Sequence, residues 1–255
     1  MHKELNIIYL DKVDSTNKYA LRNFEELPDS TLIVGGEQSA GRGRHARQWL
    51  SPPNTNIYAS MIIKDAGQNP ALASMIVSLG ALSALRASAP GVKFWLKWPN
   101  DIFCRERKIA GILCESASTS KQQIAGIVAG VGINVNMPTE IINTIDQPAT
   151  SLMHETSNEF NLKKVVKKLA KSLNKYYTIY SISPEVLFTC WKDENLLIGQ
   201  TVKVNTGEKE IKGKIIDLGH NGELIFESVG KQIKLFSGDV KINKNSIDFD
   251  KLGLI

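Results

Sequence analysis

Cysteine is scarce in this 255-residue sequence: Cys104, Cys114 and Cys190 are an odd number with no CxxC pair. That pattern argues against a disulfide framework and a cysteine zinc site, and leaves three reduced, structural thiols. Histidine is equally thin. His2, His45, His154 and His220 are scattered without metal-ligand spacing, so no metal-ligand set can be assigned. Long apolar runs are missing as well. The most apolar stretch, Ala71 to Leu85, is broken by serines and a glycine and stops at Arg86, short of the roughly 20 residues a bilayer span needs. It reads as a core helix, and no membrane partner is expected. The opening "MHKELNIIYLDK" has no basic-then-apolar signal pattern, which makes the cytoplasm the expected location.

The composition that remains is that of an ordinary globular chain, with 42% hydrophobic and 22% charged residues. Lys and Arg number 31 against 26 Asp and Glu, a net charge of +5. So modest an excess favours anionic ligands without demanding nucleic acid.

Along the chain, "LNIIYL", "TLIVGGEQ" and "NIYASMIIK" are rich in apolar and β-branched residues and read as strands. Ser15 and Thr16 are good cap residues for a short helix over "NKYALRNFEEL". Asn69 and Pro70 start a longer helix through Leu85. "VKFWLKW" returns to strand character, and "KIAGILCESAS" and "QIAGIVAGVGINVN" read as paired central strands. From Asn161 to Tyr180, apolar residues recur at helical spacing with lysines on the opposite face, a pattern that is usually just solvated. Ser183 and Pro184 open another helix. Short alternating segments then run from about Leu197 to Ile242, separated by "NTGE", "GHNGE" and "FSGD", and read as a small β-barrel. The expected architecture is a mostly strand core with few helices, followed by that barrel.

Three constellations carry chemistry. In "GRGRHARQW", Gly41 and Gly43 give a strand-to-strand loop backbone freedom, so that Arg42, Arg44 and Arg47 can close over an anion. Arginine forks donate paired hydrogen bonds to phosphate or carboxylate oxygens. No G-K-[ST] follows the glycines and the next element is a strand, which excludes a Walker loop and a dinucleotide fingerprint. A nucleotide phosphate, a nucleic acid backbone and plain solvent all remain open. In "KWPNDIF" and "RKIAG", Lys97, Asn100, Asp101 and Lys108 cluster around a proline turn. A lysine there can hold a carboxylate beside a phosphate oxygen, or simply snorkel from a strand edge. Asp101 can accept a proton, bind magnesium or fix the turn, and spacing does not separate these roles. In "GVGINVNMP", Asn134 and Asn136 lie two apart on an expected strand and would face one side, toward a nucleotide or as loop caps. Trp49, Trp95 and Trp98 could wall a pocket, although Trp95 reads better as core.

Taken in order, "DSTN", "EQSAGRGRHARQW", "KWPND", "RKIAGIL" and "GVGINVN" resemble the catalytic domain of the biotin protein ligases, and the resemblance extends to their small C-terminal domain. It implies an α+β fold, a mixed or antiparallel sheet with flanking helices of class II synthetase type over residues 1–195, and an SH3-like barrel over 196–255. It also implies the reaction: biotin and ATP, with Mg2+, give biotinyl-5'-AMP and pyrophosphate, and a lysine of a biotin carboxyl carrier protein then takes the biotinyl group. Biotin would be held by Ser15, Thr16, Asn17, Gln38, Gly41, Arg42, Gly43, Arg44, Lys108 and Gly111. The nucleotide would be held by Arg42, Arg44, Arg47, Trp49, Asn100, Lys108 and Asn134. Lys108, Arg44 and Asp101 would be catalytic.

The sequence departs from the family pattern in two places. Ala46 stands where the loop commonly has another glycine, which would stiffen it. "QPATSLM" has no tryptophan where some members cover adenine. Only "LNIIYL" and a few residues precede "DSTN", so the winged helix-turn-helix of larger members is not expected, nor is sequence-specific DNA binding. A homodimer is compatible with the sequence. The alternatives are a lipoate or octanoate ligase of related fold, a nucleic-acid-binding regulator using the arginine loop and the lysine-faced helix, and a retired ligase that only binds biotin.

Overall fold

The structure, a computed structural model, describes residues 5–64, 69–118 and 124–241. His2 and the expected barrel end at Ile242 fall outside them. Seven strands form one sheet: β1 (Asn6–Val13), β2 (Thr31–Gln38), β3 (Ile57–Ile63), β4 (Phe94–Lys97), β5 (Asp101–Cys104), β6 (Arg107–Ser118) and β7 (Ile124–Ile133). Their order is β1-β2-β3-β7-β6-β5-β4. β1 runs parallel to β2 and the remaining pairs are antiparallel, so the sheet is mixed.

Each face of this sheet takes its own helices. Leu32, Val34, Met61 and Ile63 face α2 (Pro70–Ser88), which is buried along most of its length beneath α5 (Leu162–Ile182). The Asn69 side chain accepts from Ala71 N, and Pro70 fills the first turn. By length and composition α2 would also suit a membrane span; here its apolar surface is consumed by the sheet and α5. On the other face, Ile33, Ile62 and Val128 meet Ala20 of α1 (Thr16–Arg22) and Phe24 just beyond it. α3 (Thr139–Ile142) and α4 (Leu152–Thr156) follow β7, and α6 (Pro184–Asp193) follows α5.

Five further strands make a second, antiparallel sheet in the order β11-β10-β9-β8-β12. They are β8 (Thr201–Asn205), β9 (Glu210–Leu218), β10 (Leu224–Ser228), β11 (Lys231–Leu235) and β12 (Asp239–Lys241). Trp98 donates from Nε1 to Gly222 O at 2.8 Å, which seats this sheet on the turn before β5.

Several expectations change. The core is not mostly strand: α2 and α5 form a full helical layer, because the apolar faces of both are spent on each other and on the sheet. α1 stops at Arg22, well before Leu27, and Asn23 ends it by turning its amide back to Tyr19 O. The Ser15 hydroxyl makes no cap bond. β7 ends at Ile133, so Asn134 and Asn136 lie past the strand and do not share its face.

Candidate active site

The sheet face that carries α1 is floored by small residues. Gly132 pairs with Gly111 on one side and Tyr58 on the other, and Gly130 pairs with Leu113 and Ser60. Glycine at alternate strand positions marks a close approach. A Cβ on Gly130 would fall 2.2 Å from Asn17 Oδ1, and one on Gly132 would fall 2.4 Å from the Trp49 ring. The floor therefore opens into a cavity of about 650 Å³, within the usual range for a small-molecule site.

One end of this cavity is neutral and polar. Thr16 N donates to Gln38 Oε1 at 2.9 Å, and Gln38 Nε2 donates to Ser51 Oγ at 3.0 Å. Asn17 Nδ2 donates to Leu113 O at 3.0 Å and to Glu115 Oε2 at 2.7 Å. Ser60 Oγ lies 2.6 Å from Asn17 Oδ1 and 2.7 Å from Thr16 Oγ1. This web fixes the rotamers of Thr16, Asn17 and Gln38, so a ligand meets preset donors and acceptors. Ser15 lines the same end, its hydroxyl unspent on the helix.

The other end is charged. Lys108 Nζ sits 2.6 Å from Asp101 Oδ1, and Lys97 Nζ is 4.0 Å from Oδ2. Among the described residues no well-aligned hydrogen bond reaches Oδ1, so charge rather than direction holds the first pair. Burial pushes the Lys97 ammonium pKa down, although Asp101 and Asp239 pull it up. Lys108 Nζ also stands 5.5 Å over the Trp49 ring, whose indole N–H has no hydrogen-bond partner among the described residues.

The arginine loop covers this space, and each arginine is engaged. Arg42 Nη2 reaches Glu115 Oε1 at 2.8 Å, Arg44 Nη1 reaches Asn100 Oδ1 at 3.1 Å, and Arg47 reaches Asp239 of β12. Burial lowers the Arg44 pKa. For Asp239, burial acts to raise the pKa, but Arg47, Lys97 and Arg44 outweigh it and leave it low. Gly41 serves by closeness rather than freedom: a Cβ there would fall 2.5 Å from Ser51 Oγ and Trp49 O. A 3-10 turn over Arg44–Ala46 places His45 at φ 54.

Of the residues expected from sequence, Ser15, Thr16, Asn17, Gln38, Arg42, Gly43, Arg44, Arg47, Trp49, Asn100, Asp101, Lys108 and Gly111 all line this one cavity, and Gly41 abuts it. Asn134 does not. It is buried, and its Nδ2 donates to Thr150 O at 3.0 Å. Asn136 is occupied in the same way by the backbone of Phe160. Trp95 and Trp98 are both buried in the core, away from the lining. Sequence reading missed Tyr58, Glu115 and Asp239, and it missed Thr144, Ile145 and Asp146, which line the cavity beside Gln147 of "QPATSLM". The alternating glycines of β7 were the available signal for the floor.

Among the described residues no three His, Cys, Asp or Glu side chains gather to hold a metal. Asp101 is already matched by two ammonium groups. The donor set therefore does not fit a resident ion.

Residues 9–134 match the biotin/lipoate A/B protein ligase family. The bifunctional ligase/repressor BirA of Salmonella typhimurium is 32% identical over 251 residues, covering 95% of this chain and 77% of the relative. The biotin–[acetyl-CoA-carboxylase] ligase of Paracoccus denitrificans is 28% identical over 233 residues, covering 88% and 95%. Among solved structures, biotin protein ligase from Aquifex aeolicus in complex with biotin and ATP is similar with a TM-score of 0.77 and 28% identity, covering 92% of this chain and 97% of that one.

Proposed function

The chain belongs to the biotin/lipoate A/B protein ligase family, and from that premise we propose that it is an ATP-dependent biotin protein ligase. Its substrates are biotin, ATP and a lysine of a biotin carboxyl carrier protein. The observation that carries this reading is one cavity with a preset neutral polar end and a cationic end. Both kinds of group are needed at once to hold a ureido ring and activate its distant carboxylate.

The neutral end supports ring recognition, since a buried ureido group left without partners is costly. Ser15, Thr16, Asn17 and Gln38 meet that need. At the charged end, Lys108 and Arg44 hold the carboxylate oxygen against the α-phosphorus of ATP. A new C–O–P linkage forms, the bond from the α-phosphorus to pyrophosphate breaks, and the cations stabilise the charge that develops. Arg47, Trp49 and Asn100 would hold the nucleotide, and Arg42, which reaches the ring end through Glu115, would serve both ligands. In the second step the carrier lysine's amine attacks the acyl carbon and AMP leaves with the bonding pair. Asp101 would take the amine proton once Lys108 shifts to phosphate, a role supported by its ion pair with that lysine. Closing the arginine loop keeps water from the mixed anhydride. Magnesium would arrive on the triphosphate as part of the substrate.

The finer architecture follows the same reading: a class II synthetase-like domain over 1–195 and an SH3-like barrel over 196–255, acting in the cytoplasm with no membrane partner. Labelled pyrophosphate exchange into ATP tests the proposal. Stimulation by biotin but not by lipoate is expected; stimulation by lipoate alone would move the substrate to the other branch of the family.

A further inference from the structure

α5 carries a charge pattern that the cavity does not use. Lys163, Lys164, Lys167, Lys168, Lys171 and Lys175 lie along this helix, and it contains no acidic residue. At 100° per residue all six fall on one side, with Lys163, Lys167, Lys171 and Lys175 forming an i, i+4 row spaced about 6 Å apart over about 18 Å. Five of the six are exposed, and Lys168 is half-buried with Nζ donating to Ala87 O at the end of α2. None forms an ion pair among the described residues.

This arrangement works against the helix. Like charges at i, i+4 repel, and Lys163 and Lys164 sit in the first turn, where the helix dipole disfavours cations. Mixed-sign residues would solvate the face equally well at no such cost. The lysines also account for the whole charge excess: removing six from 31 Lys and Arg leaves 25 against 26 Asp and Glu. The net positive charge of the protein is therefore matched by the six lysines on one side of α5.

We infer that this lysine row is a docking surface for duplex nucleic acid, bound through phosphates without sequence preference. A duplex offers one negative charge per about 1.7 Å of axis, a linear array suited to a linear row of ammonium groups. Ammonium groups are point charges that position a backbone and read no bases. A membrane surface fits less well, because a helix that lies on lipid inserts its apolar face, and that face of α5 is buried against α2. This inference is independent of the cavity's reaction.

The test is anisotropy titration of the full chain with two duplexes of unrelated sequence across a salt series. Both duplexes should bind equally, with log K falling against log salt at a slope of about −3 to −4 for four neutralised phosphates. The variant with Lys163, Lys167, Lys171 and Lys175 all changed to Gln should lose at least tenfold in affinity and most of that slope, with a melting temperature no lower than the parent's, since the i, i+4 repulsion is relieved. Absence of duplex binding at low salt would overturn the inference. So would undiminished binding by the variant, or capture by phosphatidylserine vesicles with none by duplex.

Discussion

Arg47 and Asp239, 192 residues apart in the chain, are joined by a charge-assisted hydrogen bond that ties the arginine loop to β12. The second sheet thereby holds the cover of a cavity floored by the first. Asp239→Asn keeps the shape and removes the charge. The pair is partly exposed, at 57% and 31%, so its loss should cost under about 1 kcal/mol of stability. KM for biotin or ATP should nevertheless rise several-fold, because the loop spends less time closed. Steady-state kinetics with a thermal melt reads both, and unchanged KM values would separate the loop from the small sheet.

Arg44 connects the same loop to Asn100 beneath it. Arg44→Gly removes that anchor and a cation from the activated carboxylate while leaving Lys108 in place. Adenylate should still form, escape early and label lysines of a bystander protein such as albumin. Biotin transfer to albumin is the readout; strict confinement of label to the carrier would mean that other residues retain the intermediate.

Lys108 and Asp101 are close enough to be mistaken for one functional unit, yet their proposed steps differ. Lys108→Ala should depress pyrophosphate exchange by about 10²- to 10³-fold, the usual loss for one preorganised electrostatic group. Asp101→Asn should leave exchange nearer the parent rate and slow transfer to the carrier. Parallel losses in both assays for both variants would mean that the aspartate acts only by positioning the lysine.

The sequence was most informative where a local pattern carried the physics. Apolar β-branched runs located β2, β3, β6 and β7, and Asn69 with Pro70 marked the start of α2. The arginine loop stood out as a cluster of cations between glycines, but composition alone left its partner open among nucleotide, nucleic acid and solvent; the structure adds that it lines the cavity. Asp239 was not visible: within "FSGD" it reads as a turn residue, and its meaning comes from a partner far away in the chain. For Asn134 and Asn136 the sequence left a choice between a ligand contact and a loop cap, and both side chains are spent on the backbone of the segments that follow β7. The lysines of α5 were plain in the sequence, but only the structure shows that none pairs with an acid among the described residues.

Asp14 precedes the polar end of the cavity and holds Arg22 at 2.8 Å. The hydrogen bond from Arg22 lowers the Asp14 pKa from 3.8 to about 2. A depressed carboxyl stabilises the fold above its unfolded pKa and loses that effect as pH falls through the folded one. The pair is well exposed, so the effect should stay under about 1 kcal/mol. Asp14→Asn should therefore lower the denaturation midpoint slightly at pH 7, with the difference shrinking below pH 3.8. A gap that persists unchanged at pH 3 would show that the carboxylate's charge is not what stabilises this position.

Gly130 offers the sharpest separation of site from scaffold. It lies in the middle of β7, with φ outside the left-handed region, so alanine is compatible with the backbone and should even raise strand propensity. Its Cβ, however, would fall 2.2 Å from Asn17 Oδ1 and 2.9 Å from Asn17 Cγ. Asn17 would have to swing away, giving up its bonds to Leu113 O and Glu115 and releasing Glu115 from one of its two partners, the other being Arg42. Gly130→Ala should therefore raise KM for biotin by more than about tenfold, the cost of a displaced polar contact, while KM for ATP changes little. Equal increases for both substrates would indicate general distortion of the sheet, and no increase would remove Asn17 from ring recognition.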